Sequence, residues 1–136
     1  RPETRARARA LQLLYAWETA GHPPIASLLA GIQRLTRPDR AVIDRAADLV
    51  TLVLSRREEL DGLVTKAAEH WRIDRLAVVD RNILRLGTAE FLEGRVPPKV
   101  VIDEALWLAH RFGAPQSPAF INGVLDAVGR SLGRLA

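Results

Sequence analysis

The chain has 136 residues, a formal net charge of +4 and no cysteine. A chain of this length fits one domain and buries roughly 68–70% of its unfolded surface, so it can build a core without disulfides or structural metals. The lack of cysteine excludes disulfides, thiolate metal sites and cysteine nucleophiles. No run of about 18 apolar residues predicts a membrane span, and no secretory pattern opens the sequence, so we expect a cytoplasmic protein.

The positive charge is concentrated at one end of the chain. Residues 1–9 carry four arginines against one glutamate, which accounts for +3 of the total of +4. Lys66 and Lys99 are the only lysines among the 20 basic residues. An arginine-rich codon bias explains that ratio as readily as function does, but it does not explain the clustering. Because a guanidinium presents a planar fork that matches phosphate, the clustering indicates contact with a polyanion.

Helices are predicted along the whole chain, since no segment alternates apolar and polar residues for long enough to form a strand. The first helix, residues 3–20, ends at Gly21 ahead of two prolines, which is an ordinary stop signal. A second helix covers about 25–35, and the turn after it places Pro38 at the start of a third. The charged sequence SRREELDG, residues 55–62, predicts a bend between the third helix and a fourth.

The helical pattern continues in the second half of the chain. Apolar residues recur every three to four positions after the bend, up to Trp71. Asp74 is a candidate N-cap of the fifth helix, the sixth covers about 100–112, and Ser117 followed by proline predicts the N-cap of the seventh. Gly123 lies inside that last helix, where it costs roughly 1 kcal/mol relative to alanine. Either a neighbouring backbone approaches it closely, which we favour, or the helix tolerates a weak point there.

The residue types that usually form catalytic or metal-binding sites do not have the spacing that such sites require. The three histidines are not spaced with each other or with a carboxylate as zinc-binding helices require. Asp103 and Glu104 lie together near a helix start, where carboxylates more often favour the positive end of the helix dipole than act as an acid pair. No glycine-rich phosphate loop is present. The sequence therefore predicts no catalytic residue, no metal and no cofactor, and favours a binding module over an enzyme.

A helical wheel of about 100° per residue separates the arginines of the first helix. Arg1, Arg5 and Arg9 fall on one solvated ridge, whereas Arg7 falls across the apolar arc that contains Leu14 and Tyr15. A buried unpaired charge is too costly, so either Arg7 is buried with a partner or the first turns project beyond the domain, and we favour the projection. For Tyr15 we favour core packing, with a stacking surface for an RNA base as the alternative.

Trp107 points away from the apolar stripe of the sixth helix, beside Val100. An exposed tryptophan often marks an interface. Three interpretations stay open for it: self-association into a homodimer, contact with another protein, and packing on a neighbouring loop.

Four segments follow one another in the chain: RARARALQLLYAW, AVVDRNILRLGTAEFL, VPPKVVIDEALWLAHRFG and SPAFINGVLD. In this order they resemble the NusB transcription antitermination family, nearly from end to end, and the last two are the most specific. The resemblance implies an all-α fold of about seven helices in two small packed bundles, which we expect to form one domain over residues 1–136. It also implies binding to single-stranded boxA RNA of ribosomal RNA leaders, together with the ribosomal protein NusE.

The resemblance extends to individual positions. The predicted RNA-binding residues are Arg5, Arg7, Arg9, Tyr15, Gln116 and Ser117. The predicted NusE-binding residues, at the start of the fifth helix, are Asp80, Arg81 and Arg85. Arg9 lies where relatives need not be basic and is therefore an additional candidate. Gln116 lies where some relatives are expected to be acidic, so the missing negative charge should favour the approach of RNA.

The function that follows is assembly. A basic surface captures a short unpaired RNA, NusE adds affinity by sharing that RNA, and the pair nucleates an antitermination complex with RNA polymerase and other Nus factors. Two alternatives stay open: the RNA-targeting domain of a ribosomal RNA methyltransferase, which requires a longer natural chain, and a helical protein-interaction module that binds no RNA.

Overall fold

The computed structural model describes residues 2–35, 39–69 and 72–136. In these ranges the chain forms seven α-helices, a short 3₁₀ helix over Ile73–Arg75, and no strand, which confirms the all-α prediction. The helices are α1 (Pro2–Thr19), α2 (Ile25–Leu35), α3 (Arg40–Ser55), α4 (Arg57–Ala67), α5 (Val78–Glu93), α6 (Pro98–Phe112) and α7 (Ser117–Ser131). Pro38 and Trp71, which entered two of the predicted helices, lie outside the described residues, and so does Arg1 of the predicted ridge. Within the described ranges, no helix combines the length and hydropathy that a membrane crossing needs.

The chain divides into two compact units, Arg1–Ser55 and Arg56–Ala136. In the first unit, α1 packs along α3, and α2 also contacts α3. The buried face of α1 consists of small and aliphatic side chains together with Trp17 and one arginine. Its members are Ala6, Arg7, Ala10, Leu11, Leu13, Leu14 and Trp17.

The predicted stop of α1 at Gly21 is confirmed. Gly21 adopts a left-handed backbone with φ +81°, and the His22 N–H donates to the Trp17 carbonyl at 2.9 Å. This is the arrangement by which a glycine closes the last helical carbonyls. The Trp17 ring stacks on His22 with centroids 3.8 Å apart, and its Nε1 donates to the Pro23 carbonyl at 3.1 Å. Trp17 therefore anchors the turn that follows α1.

In the second unit, α5 is the central helix and packs against α4, α6 and α7. Every residue from Asn82 to Phe91 is buried, as expected for a helix surrounded by others. At Gly87, an added Cβ would lie 2.9 Å from Cδ1 of Leu125 on α7. The close approach that the sequence assigned to Gly123 is wrong, because a Cβ at Gly123 would meet no atom within 4 Å.

Two of the predicted helix starts are displaced. Asp74 lies inside the 3₁₀ helix, and α5 begins only at Val78, after Ala77 in the cap position. Ser117 is the first residue of α7, and Gln116 takes the cap position without a side-chain cap bond. A capping side chain signals a helix start only when the backbone there takes the cap conformation, and neighbouring packing decides that.

The bend predicted for the charged segment 55–62 is confirmed. The helix breaks at Arg56, between α3 and α4. The Arg56 guanidinium donates to both oxygens of Glu59 at 2.8 and 2.9 Å, and this side-chain hydrogen bond lowers the pKa of Glu59. Arg56 thus pairs with one of the carboxylates in the acidic first turn of α4.

Candidate nucleic-acid interface

One solvent-exposed face of α1 carries two arginines, an amide and an aromatic ring. We call this face the α1 ridge; it consists of Arg5, Arg9, Gln12 and Tyr15. The Arg5 side chain is 61% exposed and lies 3.8 Å from the exposed Asp39 carboxylate. Nη1 of Arg9 donates to Oε1 of Gln12 at 3.3 Å on the surface. Because α1 is a continuous helix, the ridge extends about 15 Å from Arg5 to Tyr15.

The ridge confirms the grouping of Arg5 with Arg9 but corrects the expectation for Tyr15. We favoured core packing for Tyr15, and its side chain is 47% exposed instead. The buried positions beside it are taken by Leu14 and Trp17. An exposed tyrosine on a cationic ridge provides a flat surface on which a nucleobase can stack.

Arg7 is buried, with 3% of its surface exposed. The expectation that the first turns of α1 project beyond the domain is therefore wrong. The reason is that α1 already packs against α3 at its start, where Glu3 accepts a hydrogen bond from the Arg45 Nε at 3.2 Å. Arg7 also has an interaction partner of its own. In this conformation its guanidinium is not accessible to an RNA phosphate.

Gln116 lies at the rim of a cavity in the second unit. The cavity has a volume of about 280 Å³ and is lined by Arg75, Leu76, Ala77, Asp80, Gln116 and Phe120. Oδ1 of Asp80 is buried and accepts no hydrogen bond from the described residues. The exposed Gln116 amide and the half-buried Phe120 ring face the same space. The structure thus brings a predicted RNA-binding residue together with a predicted NusE-binding residue.

Phe120 is a candidate that is not among the residues predicted to bind RNA. Gln116 and Phe120 are four residues apart, which places them on one face at the start of α7. That spacing is the signal that links the phenylalanine to the predicted loop residue. An aromatic ring beside a carboxylate oxygen that lacks a donor is suited to a nucleobase, which can stack and donate from an amino group.

Ser117 does not reach the surface. The residue is fully buried, and its Oγ accepts a hydrogen bond from the Ala114 N–H at 3.0 Å. A Cβ on Gly113 would lie 2.8 Å from the Ser117 Cβ. The prediction that Ser117 contacts RNA is therefore contradicted by its burial, and its hydroxyl shapes the loop that presents Gln116.

Arg85 is likewise a core residue rather than a surface contact. It is 6% exposed, and its Nε and Nη2 donate to the two carboxylate oxygens of Asp61 on α4 at 2.7 and 2.9 Å. Its Nη1 also donates to the Asn82 side chain at 3.1 Å. A guanidinium engaged in this way joins α5 to α4, so its burial contradicts the predicted contact with a partner protein.

Arg81, one turn earlier, is half-buried. Its Nη1 donates to the carbonyls of Ile73 and Leu76 at 3.1 and 2.9 Å. Arg81 therefore fixes the 3₁₀ segment against the start of α5. Asp80, which is also predicted to bind NusE, lines the cavity beside Gln116.

Trp107 is 43% exposed, as its position on the wheel predicted. Its ring makes an edge contact with Phe112, with centroids 6.5 Å apart. Val100 on the same helix is also exposed. The choice between self-association and a partner stays a prediction.

Among the described residues, no group of three or more His, Asp or Glu side chains is placed to hold a metal ion.

Comparison with known proteins links these features to one family. The sequence profile of the NusB family matches residues 4–130. The transcription antitermination protein NusB of Solibacter usitatus is 43% identical over 129 residues, which cover 94% of this chain and 88% of the relative. That of Anaeromyxobacter dehalogenans is 44% identical over 130 residues, which cover 95% and 91%. A chain in the crystal structure of antitermination factors NusB and NusE in complex with dsRNA superposes with a TM-score of 0.83 at 30% identity, covering 96% of this chain and 98% of that one. The chain therefore belongs to the NusB family of transcription antitermination proteins.

Proposed function

We propose that this chain is a transcription antitermination factor that binds boxA-type single-stranded RNA of ribosomal RNA leaders together with NusE. The pair nucleates a complex that acts on RNA polymerase with other Nus factors. The observation that carries the proposal is the α1 ridge, where the exposed Arg5 and Tyr15 and the half-buried Arg9 lie on one face of a helix in a NusB-family chain. The protein acts in the cytoplasm, where transcription occurs, and works by assembly rather than by catalysis.

The relatives support antitermination over the alternative of a methyltransferase targeting domain. The curated relatives named above carry the name transcription antitermination protein, and this chain covers 88% and 91% of their length. The solved complex supports a partner protein and RNA together, since its description names NusE and dsRNA. The boxA form of the RNA rests on the resemblance of the four sequence segments to the family.

We further propose that residues 1–136 act as one RNA- and protein-binding domain. The family profile supports this, because its match over residues 4–130 includes most of both compact units. RNA contacts are proposed in each unit. The α1 ridge belongs to the first, and the cavity beside Gln116 belongs to the second.

The two proposed RNA contacts have different roles. Arginine contacts to phosphates position a nucleic acid without reading its sequence, so the ridge supplies affinity that weakens with salt. Sequence is read in single-stranded RNA by stacking and by hydrogen bonds to base edges. The cavity offers the Phe120 ring, the Gln116 amide and the unpartnered Asp80 oxygen for that purpose.

NusE is proposed to bind near the start of α5, where Asp80 and Arg81 lie. RNA and NusE then share neighbouring surfaces of the second unit, so each can strengthen the binding of the other. Two linked weak contacts raise the overall affinity by orders of magnitude without new chemistry.

The function is tested by removing the charges of the ridge. Arg5→Gln with Arg9→Gln removes both cations of the α1 ridge and leaves the buried Arg7 in place. Titrations of labelled boxA RNA at several salt concentrations should show that the slope of log affinity against log salt flattens by up to roughly 0.7 for each lost phosphate contact.

A matched control removes the same charge elsewhere. Lys66→Gln with Arg111→Gln neutralises two exposed cations of the second unit and should leave the salt slope near that of the unaltered chain. An unchanged slope in the ridge variant, with normal helical content by circular dichroism, would show that the ridge is not the phosphate-binding surface.

A further inference from the structure

The second unit carries an exposed cationic cluster that none of the surfaces described above includes. We call it the loop cluster; it consists of Arg95, Lys99 and Arg134. Arg95 lies in the connection between α5 and α6, Lys99 lies in the first turn of α6, and Arg134 follows α7. Arg95 and Arg134 line a cavity of about 360 Å³ whose remaining walls are Phe91, Gly94, Val96, Pro97 and Pro98.

The backbone that carries Arg134 is held against the unit. Gly133 adopts a left-handed conformation with φ +71°. Its N–H donates to the Arg130 carbonyl at 3.0 Å, and the Arg134 N–H donates to the Gly129 carbonyl at 2.8 Å. These two bonds form a Schellman motif, which closes the end of α7. Leu135 then packs so closely on Gly129 that an added Cβ would lie 2.7 Å from its Cδ1.

The guanidinium of Arg134 lies over a second left-handed glycine. Gly94 ends α5 with φ +71°, and its N–H donates to the Glu90 carbonyl at 3.0 Å. A Cβ on Gly94 would lie 3.8 Å from both Nη1 and Nη2 of Arg134. Two glycine turns therefore bring Arg134 beside the loop that carries Arg95.

Ion pairs within the described chain do not neutralise the loop cluster. No carboxylate lines the cavity, and none of the three cations forms an ion pair with another described residue, in contrast to Arg85 and Arg130. Neighbouring positive charges repel, and an anion that binds between them removes that repulsion. Guanidinium groups with free donors are suited to the paired hydrogen bonds that phosphate accepts.

The surroundings favour a nucleic-acid backbone over an acidic protein segment. Phe91 is the only aromatic wall of the cavity and is 2% exposed, so it offers no apolar anchor. Protein interfaces draw most of their affinity from such anchors. A nucleic-acid backbone, by contrast, is held through contacts between cations and phosphates alone.

We propose that Arg95 and Arg134, with Lys99 beside them, form a second phosphate-binding site for RNA. This inference rests on the proposed RNA-binding function and extends it to a surface separate from the α1 ridge and from the cavity beside Gln116. The site holds backbone phosphates of RNA that flanks the recognised segment. It adds affinity and salt dependence but no sequence preference.

The test compares Arg95→Gln and Arg134→Gln with Lys66→Gln, each of which removes one exposed cation of the second unit. The probe is a boxA RNA with single-stranded uridine flanks on both sides. Each cluster variant should flatten the salt slope by up to roughly 0.7 and weaken binding about 2- to 5-fold at low salt. The Lys66 variant should match the unaltered chain. Equal slopes in all four proteins would overturn the second site.

Amide chemical shifts of the ¹⁵N-labelled full chain provide a readout that does not depend on a variant. The Gly94 and Arg134 amides should shift on titration with the flanked RNA and stay in place with oligoglutamate. Shifts caused by oligoglutamate and not by RNA would assign the cluster to an acidic protein and overturn the proposal. If the unaltered chain binds no RNA, the proposed function itself fails, whereas binding without these shifts removes only the second site.

Discussion

At the scale of single residues, the helical wheel separated the arginines correctly, but it did not determine their burial. Arg5 and Arg9 share a surface, and Arg7 points toward the core as the wheel placed it. Whether that position is buried depends on whether α3 covers the first turns of α1, which is a contact between distant parts of the chain. Tyr15 shows the converse, because its apolar neighbours in sequence suggested burial and the packing leaves it exposed.

The effect of replacing a glycine also depends on the atoms packed around it. Gly113 follows the last residue of α6 and Gly123 lies inside α7, but the sequence does not show how closely other atoms approach either of them. At Gly123 a Cβ would meet open space, whereas at Gly113 it would lie 2.8 Å from the Ala109 carbonyl oxygen and 2.8 Å from the Ser117 Cβ. The same added methyl group should therefore have opposite effects at the two sites.

We predict that Gly123→Ala raises the free energy of unfolding by about 0.5–1 kcal/mol, because alanine is favoured over glycine in an exposed helix interior. Gly113→Ala should lower it by about 1–3 kcal/mol, because a backbone oxygen and a buried serine leave no room for the methyl group. Urea unfolding followed by circular dichroism measures both, and a shift of the midpoint in the same direction for both variants would contradict the packing described here.

At the scale of elements, the sequence predicted helices better than it predicted their junctions. The stop of α1 at Gly21 and the break at Arg56 were both expected, because glycine and charge runs act locally. The N-cap of α5 was expected three residues too early, at Asp74 instead of Ala77, since a 3₁₀ turn occupies that position and is fixed by Arg81 from the following helix. The residue types at the helix start do not reveal a side-chain contact of this kind.

The contact between α4 and α5 yields a prediction that tests the structural role of Arg85. Asp61→Ala leaves the nearly buried Arg85 guanidinium without its carboxylate, and we expect a loss of about 2–4 kcal/mol in the free energy of unfolding. The expected loss does not exceed the loss for breaking a fully buried ion pair, because the Asp61 side chain is 23% exposed. Chemical denaturation measures it.

Glu59→Ala is the matched control, since it removes the carboxylate of an exposed pair, that with Arg56. It should leave the free energy of unfolding almost unchanged, because exposed ion pairs contribute little. Similar losses for the two variants would show that the Asp61 pair is not part of the core, and Arg85 would then be available to a partner protein as the sequence first suggested.

At the scale of the whole molecule, the order of four segments predicted the family, the all-α fold and the class of partner. The sequence predicted part of the proposed RNA surface, because a helical wheel groups the arginines that share one face of α1. It missed Phe120 and the loop cluster, because these depend on which loops and helix ends meet in the folded second unit. Contacts for RNA are thus proposed in both units, and a continuous strand that engages several of them gains affinity from each.

This arrangement predicts that RNA and NusE bind with reciprocal linkage. Affinity for boxA RNA should be modest with the chain alone and should rise in the presence of saturating NusE. By thermodynamic necessity, saturating RNA must then raise the affinity for NusE by the same factor, where tenfold corresponds to about 1.4 kcal/mol. Fluorescence anisotropy with labelled RNA and calorimetry with NusE measure the two sides independently. Affinity for RNA that does not change when NusE is added would show that the two ligands bind without sharing a surface, and the assembly mechanism would then have to be abandoned.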